Sequence, residues 1–438
     1  MISGAVANVL DYGADPTGVA NSSAAFAAAV ATGKSVFVPK GRYQTSFDLN
    51  SCTEIFGESS RAVSELIPVS GASYVIRINA TSSPKVYCQI RNLSIINPNA
   101  VSGVTGIYFK GTDVNTINDN HVVSDVFMEA LQYGIRVDGR LIASSFIRTL
   151  LVSGFEVGFL ANVDPVNTAF IGNHFNLFQC LGATKEGFKL VGSNVTNAFI
   201  NCAFQDCNSN NVAGNAAAYI EDAQMVSFIN CYWEFNGAGV AVDTANPRNN
   251  SIGLFLGGDI CFEPKIENCW MVQSGVMILL DAIAGGVGGG VKGTRFAPNT
   301  NGFDVACLSL VPGENSAPFV IDADNYFSGK ISIDPGVTAR LPACIRQSHT
   351  SRYITGNMEI DVRNNNRLTV NSAAGFTFNN ITNFFGGEEL WIANVGTGTV
   401  VVPASYMANG VALSLAANDT AILYAQGFPA AGKFRKMN

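Results

Sequence analysis

The sequence is poor in charge. Only 13% of its 438 residues are Asp, Glu, Lys or Arg, while 47% are hydrophobic. A disordered chain needs the opposite balance, so that class is excluded. The few charges sum to −7, with an isoelectric point near 5.1. Nucleic acid and anionic membrane are therefore not expected as main partners. Histidine is scarce too. His121, His174 and His349 are the full set, and they lack the paired spacing of a zinc site. No G-x-S-x-G, phosphate loop or C-x-x-C is present, and the glycine run Gly285–Gly290 lacks the Lys-Ser/Thr a phosphate loop requires. No metal or cofactor is expected. No apolar stretch approaches the roughly 18–20 residues that span a membrane. Met1–Val9 lacks the basic start and apolar run of a signal peptide. Ten cysteines in 438 residues make no disulfide scaffold. They are expected to be buried, reduced thiols in a chain made in a reducing cytosol without Sec export.

Against these absences stand 44 Gly and 29 Phe, with abundant Asn and Ser. That describes a β protein with many turns and little helix. One phrase recurs. A-F-I-N-C-A-F-Q-D at Ala198–Asp206 returns as S-F-I-N-C-Y-W-E-F-N at Ser227–Asn236. Looser copies are S-F-I-R-T-L-L at Ser145–Leu151, A-F-I-G-N-H-F at Ala169–Phe175 and K-I-E-N-C-W at Lys265–Trp270. The interval is 24 to 38 residues. A short alternating phrase at that period predicts a solenoid of strands.

Before the repeats, V-L-D-Y-G-A-D-P-T-G at Val9–Gly18 reads as strand and tight turn. Asn21–Gly33 reads as a helix capped by Ser22 or Ser23 and stopped by Gly33. S-V-F-V-P-K-G at Ser35–Gly41, then Tyr43, and I-F-G-E at Ile55–Glu58 follow. This order over Val9–Ser59 resembles the start of a pectate-lyase-like right-handed parallel β-helix. Within that superfamily it is most similar to the bacteriophage tailspikes that depolymerise capsule or O-antigen. The position after Gly18 holds V-A-N-S-S where the family often carries Asp. That alters a cap and no known chemistry.

The expected fold is therefore an all-β right-handed parallel β-helix with a short N-terminal capping helix and a small C-terminal β domain. The helix would cover the open edge of the first coil, since exposed strand edges invite aggregation. The expected segments are a cap over 1–50, the β-helix over 51–340, a linker with transition coils over 341–386 and a β module over 387–438. The linker is marked by Arg340, Arg346, Arg352, Arg363 and Arg367. In the module, Glu389–Val402 reads as two strands around a glycine turn, and Ala421–Ala425 as another strand. Gly285–Gly290 has the composition of a loop.

Strict alternation places Ile200, Cys202, Phe204, Ile229, Cys231 and Trp233 inside. It places Phe199, Asn201, Ala203, Gln205, Phe228, Asn230, Tyr232 and Glu234 outside. Gly172, His174 and Asn176 are expected outside as well. Ile266, Asn268 and Trp270 match the inner set, which turns Glu267, Cys269 and Met271 outward. The outer face then carries His174, Asn176, Asn201, Gln205, Asn230, Tyr232, Glu234 and Glu267. Amides, a phenol and carboxylates on a rigid sheet suit sugar hydroxyls.

Glycosidic hydrolysis needs two carboxylates. Glu234 and Glu267 are about 14 Å apart by register, and Glu234 and Asp206 about 6 Å between backbones. Asp206 nominally points to the opposite face unless a corner turns it out. Glu234 with Asp206 is the first choice and Glu234 with Glu267 the second. The carboxylates Glu221, Asp222, Asp259 and Glu263 are equally explained as turn residues. Alternatively, His174 is the base of a polysaccharide lyase with Tyr232 donating to the leaving group, or the surface binds without turnover. The resemblance implies a homotrimeric phage tailspike that cleaves a bacterial cell-surface polysaccharide. It would sit on the virion tail, joined to the baseplate or another tail protein, and a missing N-terminal particle-binding domain would fit the abrupt start at Met1.

Overall fold

The structure, a computed structural model, describes residues 6–49, 53–61, 63–80, 85–111, 117–162, 170–192, 194–282, 288–300, 302–308, 319–322, 324–326, 330–333, 339–342, 358–361, 367–370, 376–382, 389–394, 397–426 and 433–437. His349, Arg346, Arg352, Arg363, Gly285 and Gly286 lie outside the described residues. The chain divides into two compact units. One holds 1–221 with 226–237, and the other 222–225 with 238–438.

The first unit begins with the expected helix, Ser23–Ala31, followed by Gly33 at φ +68°. Ser22 occupies the N-cap, but its hydroxyl accepts from the Asp15 amide at 2.9 Å instead of capping the helix. Phe26 is fully buried, 4.9 Å from the Phe47 ring and 5.8 Å from Tyr43. The helix thus lies over the apolar end of the first coils.

Beyond it, the described strands of this unit pair in parallel. Gln89–Ile96 pairs with Val122–Glu129, and Thr105–Lys110 with Tyr133–Asp138. Parallel neighbours one coil apart in sequence define a parallel β-helix, and crossovers of this kind are right-handed. A central coil has four strand segments: Phe188–Val191, Asn194–Val195, Ala198–Ile200 and Ala203–Gln205. Residues with left-handed backbone separate and end them: Gly192 (φ 92°), Thr196 (52°), Asn201 (54°) and Asp206 (52°). Asn and Asp tolerate this conformation better than other side chains with a Cβ. Corners stack from coil to coil. The Leu177 amide donates to Ile200 O at 3.0 Å and the Asn201 amide to Ile229 O at 2.9 Å.

Those corners correct the strict alternation. A left-handed residue interrupts each phrase, so the face assignment resets across it. Phe199 and Phe228 are fully buried, and Ile200 and Ile229 face outward, the reverse of the expectation. Past the corner, Cys202, Phe204, Cys231 and Trp233 point inward as expected, and Ala203, Gln205, Tyr232 and Glu234 outward. In the second unit the same reset at Asn268 (φ 54°) buries Cys269 and Met271 and leaves Asn268 and Trp270 exposed, again reversing the expectation. The eight described cysteines are buried, and among the described residues none forms a disulfide.

The core of the first unit is an aromatic column. Phe146, Phe175, Phe199 and Phe228 stack with successive centroids 4.8, 4.6 and 4.6 Å apart. Phe159 and Phe188, from the facing sheet, meet it edge-on at 5.2 and 4.8 Å. Beside the column runs a buried polar ladder. Asn197 Oδ1 accepts from the Asn173 amide and side chain at 3.0 and 3.1 Å, and its Nδ2 donates to Phe170 O at 2.8 Å. The Ser144 amide donates to Asn173 Oδ1 at 3.0 Å. Both asparagines are fully buried. Asn197→Leu orphans the Asn173 backbone amide and removes the side-chain donor to Phe170 O, while Asn173 Nδ2 keeps its bond to Leu141 O. At about 1–3 kcal/mol per orphaned group, the unfolding midpoint in guanidinium should drop clearly, whereas exposed Asn201→Ser should barely move it.

The second unit repeats the coil plan. Ile252–Phe262 pairs with Val276–Ala282, and that strand with Phe303–Leu308, all parallel. Lys265–Glu267 pairs with Gly290–Lys292, and Trp270–Val272 with Arg295–Ala297. Ala339–Pro342, Met358–Asp361 and Phe376–Thr382 add further parallel strands within the stretch expected to hold a linker. Antiparallel pairing starts late: Glu389–Asn394 with Thr420–Gln426, and Val400–Val402 with Leu413–Leu415. Glu389–Asn394 and Val400–Val402 are both strands, but each takes these other partners. The expected hairpin between them is not formed, because a parallel neighbour occupies one edge of each: Arg367–Val370 for the former, Phe376–Thr382 for the latter.

Candidate functional site

Register fixes the site. Ala203, Phe204 and Gln205 pair with Tyr232, Trp233 and Glu234. Phe204 and Trp233 anchor the two strands in the core. Their flanking residues must therefore face outward, because side chains alternate along a strand. Gln205 sits directly beside Glu234, and its Nε2 donates to Glu234 Oε2 at 3.0 Å. The Tyr232 hydroxyl, two residues before Glu234 on the same face, hydrogen-bonds to the same carboxylate. Burial, then this bond and the Glu234 charge, push Tyr232 up to about 12. Tyr232 is thus a neutral donor to the Glu234 side chain.

Asp206 follows Gln205 at a left-handed corner, φ 52°, and its side chain is exposed. The corner is what turns it outward. Its amide donates to Glu234 O at 2.9 Å. Desolvation at the corner, and then the Glu234 charge, push its carboxyl above the ordinary range. Asp206 is thereby favoured in its protonated form, beside a second carboxyl residue on the neighbouring coil. A carboxyl with a raised pKa can serve as a general acid.

The other expected residues lie around this cluster. Asn201 and Asn230 are exposed corner residues that begin the turn into the strands carrying Gln205 and Glu234. His174 and Asn176 are exposed on His174–Asn176, which belongs to the strand segment before that corner. His174 registers with Ala198, and Ala198 with Ser227. His174 is therefore two coils away and on a different segment from Tyr232, so the structure does not assemble the lyase pair. Glu267 faces outward in the second unit, paired across strands with Lys292. Among the described residues, no group of three or more His, Cys, Asp or Glu is arranged to hold a metal ion.

Sequence reasoning missed one feature of the first unit. A cleft of about 480 Å³ is lined by Gln132, Glu156 and Lys185 among others. Gln132 Nε2 donates to Glu156 Oε2 at 2.7 Å, and Lys185 Nζ to Glu156 Oε1 at 2.5 Å. Lys185, and then Gln132, hold Glu156 below the ordinary carboxylate range. The signal was available: the three are 24 and 29 residues apart, the same intervals that separate neighbouring copies of the repeated phrase.

The stacked parallel coils are those of a parallel β-helix, with two acidic residues on neighbouring coils of its surface. Residues 6–213 match the family described as rhamnogalacturonase A/epimerase, pectate lyase-like. That match covers a little under half of the chain, and the structure of those residues is the parallel β-helix it implies. No curated protein matches it by sequence. Among solved structures it is similar to tailspike protein 2 of the Escherichia coli O157:H7 bacteriophage CAB120, with 13% identity and a TM-score of 0.50 over 97% of this chain and 54% of that one. It is also similar to the tailspike gp49 of Pseudomonas phage LKA1, at 11% identity and TM-score 0.48 over 98% and 95% of the two chains. A third is the surface adhesin PfbA of Streptococcus pneumoniae, at 10% identity and TM-score 0.45 over 99% of both. At these identities the likeness is one of fold.

Proposed function

We propose that the chain is a phage tailspike that binds and hydrolyses a bacterial surface polysaccharide, with Asp206 and Glu234 as the catalytic pair. The observation that supports this most is the asymmetry of the two carboxyls. Glu234 receives hydrogen bonds from Gln205 and Tyr232, while Asp206 is pushed toward its protonated form. Asp206 then donates a proton to the glycosidic oxygen. Glu234 removes a proton from the attacking water, or attacks the anomeric carbon itself. Gln205 and Tyr232 position Glu234, and Asn201, Asn230, His174 and Asn176 offer hydrogen-bonding groups to neighbouring sugars. Glu267 remains the alternative partner. Assembly as a homotrimer on the virion tail belongs to the same reading. It is supported by the resemblance to tailspikes, and a solution mass of three 46.2 kDa chains would bear it out.

The pH profile tests the assignment. A general acid works while protonated, so activity should fall as pH rises through the raised Asp206 pKa. Asp206→Asn should remove that alkaline limb along with most activity. The same raised pKa means that ionised Asp206 costs the fold stability above the ordinary carboxylate range. Asp206→Asn should then be no less stable than the wild type at neutral pH. An unchanged alkaline limb in this variant would reject Asp206 as the acid.

A further inference from the structure

The corner that carries Asp206 is clamped to the corner of the next coil, where Phe235 stands. The Asp206 amide donates to Glu234 O at 2.9 Å, the Cys207 amide to Asn236 Oδ1 at 3.0 Å, and the Gly237 amide to Cys207 O at 2.9 Å. Asn236 is fully buried, and its Nδ2 donates to Phe204 O at 3.1 Å, which pins the bend from inside. The residues flanking Phe235 are thus bonded to Asp206 and Cys207, and Phe235 is set beside Asp206, one strand spacing of about 4.8 Å away. On the other side the Gly182 amide donates to Gln205 O at 2.9 Å, so the neighbour of Asp206 on the preceding coil is a glycine. Of these two corner neighbours, Phe235 is the one with a side chain.

Stability does not account for Phe235. The ring is apolar yet 39% exposed, and the backbone beneath it is left-handed at φ 55°. A bulky side chain is strained in that region, and little burial offsets the strain. On earlier coils the same corner holds Ala130, Ser153 and Gly182, all small. The bulky residue arrives next to a carboxyl. An apolar ring beside a carboxyl keeps water from it and disfavours the charged form. The Asp206 carboxyl lies above its ordinary range, with desolvation ahead of the Glu234 charge among the causes. The other titratable groups nearby do not supply that effect. Tyr232 is a neutral phenol bonded to Glu234, the Cys207 thiol faces the core, and Lys185, at the next bend of the preceding coil, is engaged with Glu156.

We infer that Phe235 is a positioning residue for the proposed general acid: its ring covers one side of the Asp206 carboxyl from water and so favours the protonated form that donates. The part in catalysis rests on the hydrolytic reading above. The effect on Asp206 itself does not.

A double-mutant cycle read against pH tests it. The guanidinium unfolding midpoint of the full chain is followed from acid to neutral pH for the wild type, Asp206→Asn, Phe235→Gly and the double variant. A carboxyl whose pKa is raised by folding costs stability as pH climbs from its unfolded value through its folded one, and an amide does not ionise. The midpoint of Asp206→Asn should therefore gain on that of the wild type across this window and keep its lead at neutral pH. With Phe235→Gly in both chains, that gain should shrink by about half or more, because desolvation is the larger of its two causes. Phe235→Leu should preserve it. Leu177→Gly should leave it unchanged: Leu177 is 41% exposed at φ 55°, but its corner lies beside Asn201. An undiminished gain with Phe235→Gly, or an equal shrinkage with Leu177→Gly, would overturn the inference. On a polysaccharide that the wild type cleaves, the alkaline limb should move to lower pH in Phe235→Gly and stay in place in Phe235→Leu. A limb that does not move would overturn the part in catalysis. The stability cycle needs no substrate, so the two proposals fail separately. A diminished gain with no polymer cleaved would sink hydrolysis and uphold the effect on Asp206, and an undiminished gain with Asp206→Asn inactive would do the reverse.

Discussion

Glu234→Gln is expected to lower polysaccharide turnover by about 10³-fold or more, within the range general acid–base groups supply, while affinity for the intact polymer changes little. The substitution keeps the side chain's size and its contact with Gln205 and Tyr232. It removes the negative charge that activates water or attacks carbon. It should also lower the Asp206 pKa, because the neighbouring charge is one of the two causes that raise it. Glu267→Gln separates the two candidate partners. If Asp206 and Glu234 are the pair, Glu267→Gln retains most of its turnover. Equal losses in Glu234→Gln and Glu267→Gln, with Asp206→Asn active, would move the site. Single-turnover and binding measurements on the same polysaccharide distinguish these results.

Phe199→Ala should be the most damaging single change to the fold. Phe199 is fully buried, with Phe175 and Phe228 stacked on its two faces at 4.6 Å and Phe188 edge-on at 4.8 Å. Truncating a buried Phe to Ala costs about 3–5 kcal/mol, and the lost ring contacts are included in that figure. In a solenoid each coil is supported by its neighbours. Hydrogen-exchange protection should therefore fall first in the Phe175 and Phe228 coils, and the guanidinium midpoint should fall with it. Ile200→Ala, one residue away but facing outward, should cost under about 1 kcal/mol. Similar losses in the two variants would contradict the inward column.

Much of this was legible in the sequence. The Phe-Ile-Asn-Cys phrase gave away the coil period, and the pairing of Gln205 with Glu234 followed from it. The Ala-rich run at Asn21–Gly33 announced its helix, which the structure places at Ser23–Ala31. What alternation could not show was the corner inside the phrase. A strand has period two only while its backbone stays extended, and Asn201 and Asn230 leave that region. Phe199, Ile200, Phe228 and Ile229, before those corners, were therefore placed on the wrong face, and at Asn268 it was Cys269, Trp270 and Met271, after the corner, that were misplaced. The asparagine was itself the clue, as the residue that best tolerates a left-handed backbone after glycine. The same reasoning explains Asp206, whose outward turn depends on its own positive φ. The polar cluster of Gln132, Glu156 and Lys185 went unread because its members share no motif, only the coil interval. The exposure of Trp270 was hidden for the reason that misplaced Phe199.

The most direct test of the proposed chemistry is the nature of the ends it creates. Purified bacterial capsule and O-antigen polysaccharides are incubated with the wild type and with Glu234→Gln. Reducing-end release and near-ultraviolet absorbance are followed in parallel. Hydrolysis by Asp206 and Glu234 predicts new reducing ends on a susceptible polymer, no rise in absorbance, and neither signal from Glu234→Gln. An absorbing double bond at the new ends, or undiminished reducing-end release from Glu234→Gln, would contradict it.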